Sequence, residues 1–292
     1  MTGDFIIQGI SKSIGSITVT RCLPHSKKRH LGPFVFVDHM GPIEYNSEND
    51  INVLQHPHIG LMTVTYFLAG EGFHIDSIGN KQQINVGDIN LMIAGKGIVH
   101  AEKSRHIPKD QTKKIHMLQI WIALPKEEEE CEPQFINYTR DKLPKFTLNQ
   151  TLDIHLLIGR YEQFQSPVKT FTETLYCIIE CKNNNTEKLL FPYKELGILV
   201  ANGQAKINTH NLQANDLIII ENPSNIQIEG EQGSILVCFG GTPYPEKRHI
   251  WWNFVATRKE LIKEAAEKWK NQKMGSIPGE LEYVPLPSDY DF

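Results

Sequence analysis

Long apolar runs are missing from this 292-residue chain. No stretch of about 18 apolar residues occurs, which excludes a membrane-spanning helix. The opening segment, MTGDFIIQGI, lacks the basic region and long apolar core of a secretory signal, so a cytoplasmic location is expected. A basic excess is also missing: 30 Lys and Arg face 34 Asp and Glu, a net charge of −4. General affinity for nucleic acid is therefore not expected, and any regulatory role would act through proteins. Gly and Pro, at 21 and 16, are in ordinary supply, which excludes collagenous and low-complexity chains. No CxxC pair exists among the five cysteines; Cys177 and Cys181, in LYCIIEC, are the closest, and their spacing suits one face of a strand. Buried, reduced core thiols are the expectation, rather than a zinc knuckle or redox centre.

Helical periodicity is scarce. Short segments rich in Val, Ile, Thr and aromatics dominate, among them LMTVTYFL (61–68), IHMLQIWIAL (115–124), LYCIIEC (175–181) and DLIII (216–220). Turns such as SIGNK (77–81), VGD (86–88) and GKG (95–97) punctuate them. The fold class is all-β, an antiparallel sandwich or barrel. The run PKEEEECEP (125–133) reads as a solvated connection, because four consecutive glutamates repel one another. On either side of it the order of strands and Gly or Asn-Asp turns repeats, in 63–92 and again in 196–220. Two related barrels are expected, residues 1–130 and 131–292. A terminal helix is expected at 257–273, opened by a Thr257–Glu260 capping box and carrying Leu261, Ala265 and Trp269 on one face. In RHIWWNF, Trp251 and Trp252 are expected to alternate across a strand and serve packing.

Histidine is where chemistry gathers. His56 and His58, in QHPHIG, are two residues apart, so an extended strand turns both imidazoles to one face. His100 and Glu102, in GIVHAEK, repeat that geometry after several chain reversals. Three imidazoles and one carboxylate converging inside a barrel form a site for one divalent metal ion; imidazole suits iron, nickel, copper and zinc. His74, in FHIDS, either supports the ligands from behind or faces solvent, and the solvent-facing reading is preferred.

At these residues the sequence resembles the pirin family of the cupin superfamily. The matching pieces are HPHIGLMTVTY, HIDSIGN, the Gly87-Asp88 turn and AGKGIVHAE, in order and at family-like spacing. The resemblance implies a bicupin, two stacked jelly-roll barrels with a C-terminal helix, and one metal in the first barrel only. It implies iron(II), with zinc, nickel, copper or manganese as substitutes, on His56, His58, His100 and Glu102. Ile59 and Met62 stand where many members carry Arg and Glu, and Ala101 where Ser is common, which leaves the metal set intact and makes the pocket more apolar.

The activity implied is that of a quercetin 2,3-dioxygenase-type oxidoreductase acting on a flavonol-like aromatic substrate and dioxygen. Glu102 would accept the enolic proton, and Met62, Phe67 and Met92 would line the cavity. The alternative is a non-catalytic, redox-responsive regulator acting through a protein partner. A monomer is expected.

Overall fold

A computed structural model describes residues 3–14, 17–46, 51–104, 108–109 and 111–288. The chain is all-β, with a single α-helix, Lys259–Lys270, among the described residues. No described helix is long and apolar enough to cross a membrane. The chain divides into two compact units, and neither is contiguous in sequence. One comprises Met1–Ser11, Thr20–His39 and Thr139–Tyr244; the other comprises Lys12–Val19, Met40–Tyr138 and Pro245–Phe292. This differs from a single cut at 130/131 because each unit borrows a segment from the opposite end of the chain.

In the first unit, a seven-stranded sheet opens with Phe5–Gln8, which pairs antiparallel with Asp216–Ile220. A four-stranded sheet, Thr186–Leu189, Ile226–Gly230, Gln204–Ile207 and His210–Gln213, belongs to the same unit. The interior is filled by apolar side chains, among them Leu156, Ile179, Phe191, Ile198, Ile228 and Leu236. Cys177 and Cys181 lie in this core as free thiols, as their spacing on one strand face implies.

The second unit carries the histidines. Its four-stranded sheet runs Val53–His58, Ile98–Lys103, Gly72–Asp76, Lys81–Ile84. A larger sheet includes, as neighbours, Gln134–Tyr138, Ile89–Ile93, Leu61–Ala69 and Lys113–Ala123. Gly60 makes the reversal between the first two histidines' strand and Leu61–Ala69. Its φ of +67° suits glycine, and a Cβ there would stand 1.9 Å from the Val255 carbonyl oxygen.

The C-terminal segment closes this unit. Val255 N donates to Ile59 O at 3.2 Å, and Val284 N to Gln55 O at 3.0 Å. The Gln55 side chain donates to Glu280 O at 3.0 Å and accepts from Ile277 N at 3.3 Å. The helix buries Ile262, Ala265, Ala266 and Trp269 against Ile59, Val99, Ala101 and Phe254. Trp269 Nε1 donates to Val284 O at 3.0 Å, so the indole is buried without an orphaned donor.

Two local expectations are corrected here. The capping box does not form: the helix begins at Lys259, and its N-cap residue, Arg258, makes no side-chain cap bond. Thr257 instead donates its backbone N–H and its hydroxyl to the Glu129 carboxylate, at 2.8 and 2.7 Å. The glutamate run is therefore not wholly solvated, because Glu129 is only 4% exposed and Glu130 pairs with Arg258. A carboxylate next to the first turn also complements the positive end of the helix dipole. The second correction concerns the tryptophans. The strand ends at Trp251, and Trp252 sits in a turn at φ +50°, so both rings gather around Phe254 instead of alternating.

Candidate metal centre

Strand register builds the centre. Val53–His58 and Ile98–Lys103 are antiparallel neighbours with His56 directly opposite His100 and His58 opposite Ile98. Ring centroids stand 4.3 Å apart for His56–His100 and 5.0 Å for His56–His58 and His58–His100. One nitrogen from each lies within 4.8 Å of the others, and all three residues are buried. Glu102 is not in that tight cluster. It occupies the next inward position on its strand, opposite His74, after a register irregularity between His100 and Glu102.

Burial sets the charge of these groups. Desolvation lowers His56 to about 4. Desolvation and the neighbouring imidazoles hold His58 and His100 well below the usual histidine value. All three are neutral near pH 7 and present lone pairs. Desolvation pushes the partly buried Glu102 carboxyl up to about 7.

The hydrogen bonds choose which nitrogens face inward. His56 Nδ1 donates to Leu54 O at 2.7 Å, leaving Nε2 as the lone-pair atom. His100 Nε2 is buried without a hydrogen-bond partner, and His58 has at most a weak bond to the Asn253 backbone. Such an orphan costs about 1–3 kcal/mol, a penalty that a bound cation offsets. The donor set thus fits a divalent metal ion of intermediate softness.

His74 does not face solvent, the reading its sequence context favoured, but backs this centre. It is 4% exposed, its Nδ1 lies 3.3 Å from His100 Nδ1, and its Nε2 lies 3.0 Å from Asp76 Oδ2. With His100 Nε2 facing the cluster, one tautomer chain satisfies both contacts. His100 Nδ1–H donates to His74 Nδ1, and His74 Nε2–H donates to Asp76. Asp76 also accepts from Ile78 N, Asn80 N and Asn80 Nδ2. Burial works against its charge, but the bonds from His74 and Asn80 win and keep its carboxyl below the ordinary value. The signal was present in the sequence: His74 and Asp76 form a third pair two residues apart, like His56/His58 and His100/Glu102.

Aromatic walls complete the surroundings. Trp121 meets His58 edge-on at 5.1 Å, and Phe135 stacks on His74 at 4.2 Å. Met92 is paired with both Phe135 and Thr63, and Thr63 with Trp121, so these four form one row on the face toward the histidines. Of the apolar residues expected to line a cavity, Met92 does so. Met62 does not: opposite Ile93 and Ile122, it alternates to the other face of the sheet. Phe67 is packed with Tyr45, Ile84 and Met117 in an apolar cluster.

A two-barrel cupin with a histidine centre in one barrel is the class that this fold and site define. The family models "Pirin" and "Pirin C-terminal cupin domain" match residues 16–122 and 176–275. The chain belongs to the pirin family. It is 31% identical to a pirin-like protein of Caulobacter vibrioides, over 97% of this chain and 99% of that one. A solved quercetin 2,3-dioxygenase from Acinetobacter baumannii superimposes with a TM-score of 0.92 at 32% identity, covering 98% of this chain and 95% of that one. A bacterial pirin from Escherichia coli, solved in complex with nickel(II), shares the fold at 19% identity and a TM-score of 0.64, covering 82% of this chain and all of that one.

Proposed function

We propose that the protein is a metal-dependent dioxygenase acting on a flavonol-like aromatic substrate. The observation that carries this reading is the trio His56, His58 and His100, neutral and buried, with one nitrogen of each gathered into a single cluster. These residues, with Glu102 as the carboxylate, would hold one divalent ion, iron(II) in the first instance; the nickel(II) complex of the Escherichia coli pirin supports nickel as a substitute. When bound, such an ion supplies Lewis acidity toward an enolic oxygen and makes dioxygen chemistry accessible. The likeness to quercetin 2,3-dioxygenase supports the substrate class.

The protein's own groups prepare the substrate. Trp121, Met92 and Phe135 offer apolar contact to a planar ring system. Glu102, held at about 7, exchanges a proton at its carboxylate oxygen near neutral pH, which matches the removal of an enolic proton from the substrate. Asp76 and His74 fix the tautomer of His100.

The test is aerobic incubation of iron-loaded protein with quercetin, followed by an oxygen electrode. Uptake that depends on protein is expected; uptake no greater than that of free iron overturns the reading.

A further inference from the structure

Beyond the aromatic row beside the histidines lies a second row. Gln119 pairs with Thr65, Thr65 with Asn90, and Asn90 with Asn137, one residue from each of four adjacent strands. Each is two residues along its strand from Trp121, Thr63, Met92 or Phe135, so the polar row shares their face, roughly 7 Å along the strands from the aromatic row. Four uncharged polar side chains in line inside an otherwise apolar barrel are not needed for packing.

Their hydrogen bonds are incomplete. Thr65 Oγ1 donates to Gln119 Oε1 at 2.7 Å, and Asn137 Nδ2 donates to Asn90 Oδ1 at 2.7 Å. Asn90 is 2% exposed and its Nδ2 has no partner. Gln119 is partly exposed although its strand lies inside the sheet, so solvent reaches this face of the barrel. Phe67, one step further on, closes the far side within its apolar cluster.

We propose that Gln119, Thr65, Asn90 and Asn137 form a recognition strip for an oxygen substituent of an uncharged aromatic substrate, other than the oxygen that meets the histidine centre. This rests on the dioxygenase reading and specifies what its substrate must carry. The aromatic row holds the ring faces, and Asn90 Nδ2 donates to a phenolic or carbonyl oxygen. None of the four side chains is charged, so the strip selects neither carboxylates nor amines.

The experiment compares quercetin with 3-hydroxyflavone, which keeps the enolic edge and lacks the other hydroxyls. Anaerobic fluorescence titration of metal-loaded protein gives the two dissociation constants. Wild type is expected to prefer quercetin by about tenfold or more, as one buried hydrogen bond supplies. Asn90→Leu and Thr65→Val are each expected to weaken quercetin by about tenfold while holding 3-hydroxyflavone within about twofold. Thr65→Val preserves shape and decides the matter if Asn90→Leu does not fold. An unchanged preference in the folded variants, or no binding of either flavonol by wild type, overturns the strip. Oxygen uptake is scored separately: a shifted preference without uptake sinks the dioxygenase and keeps the strip, and uptake with an unshifted preference does the reverse.

Discussion

His74 Nδ1 stands 3.3 Å from His100 Nδ1, so a candidate metal ligand is held by a second histidine rather than by a carbonyl or a carboxylate directly. Asp76, 3.0 Å beyond, supplies the negative end of the chain. Such outer partners fix ring orientation and raise ligand basicity. His74→Phe keeps the stack on Phe135 and removes both hydrogen bonds. Metal affinity, measured by chelator competition, should fall about 10–100-fold, with the thermal midpoint of the metal-free protein changed little. An unchanged affinity would show that His100 orients itself.

The three imidazoles cluster without Glu102, so ligation and proton transfer should separate. Glu102→Gln should retain most of the bound metal on elemental analysis while losing oxygen uptake about 100-fold or more. His58→Ala, which opens the cluster, should lose the metal itself. If Glu102→Gln empties the site as fully as His58→Ala, the carboxylate is an equal ligand.

Glu129 and Thr257 tie the glutamate run to the start of the helix through two hydrogen bonds. Glu129→Ala leaves a partly buried hydroxyl and N–H unpaired and should cost about 1–2 kcal/mol in denaturant unfolding. Thr257→Val should cost less. The double variant should fall short of the sum, since the two residues serve one interaction.

His155 lies opposite Lys145, and burial together with that lysine lowers its imidazole from 6.5 to about 4. The unfolded chain therefore takes up the proton first. Stability should fall as pH drops from 6.5 toward about 4 and gain no further loss from this group below that. His155→Gln should flatten the urea midpoint by one proton's worth of slope across that window. An unaltered slope would assign the proton uptake elsewhere.

Period-two spacing made the core of the centre readable from the chain. HxH and HxE, returned to one another by hairpins, become opposed pairs on neighbouring strands because side chains on a strand repeat every two residues. The same rule would have admitted His74 and Asp76, but a single imidazole on an unplaced hairpin carries no sign of its partner. Met62 misled because its face depends on the reversal at Gly60, which resets the alternation after His58. The Glu129–Thr257 contact was illegible for another reason: charge repulsion describes a glutamate run in isolation, not a carboxylate that meets two donors far along the chain. The polar row of Gln119, Thr65, Asn90 and Asn137 exists only in the register of four strands, and no local pattern announces it.

The backbone of Gln55 and Ile59, on either side of the HPH motif, is clasped by residues 254–284. That places a clock on the metal centre. A chain growing from its N-terminus exposes all three histidines well before it reaches the segment that braces their strand. Fragments ending before residue 254 should therefore capture metal poorly.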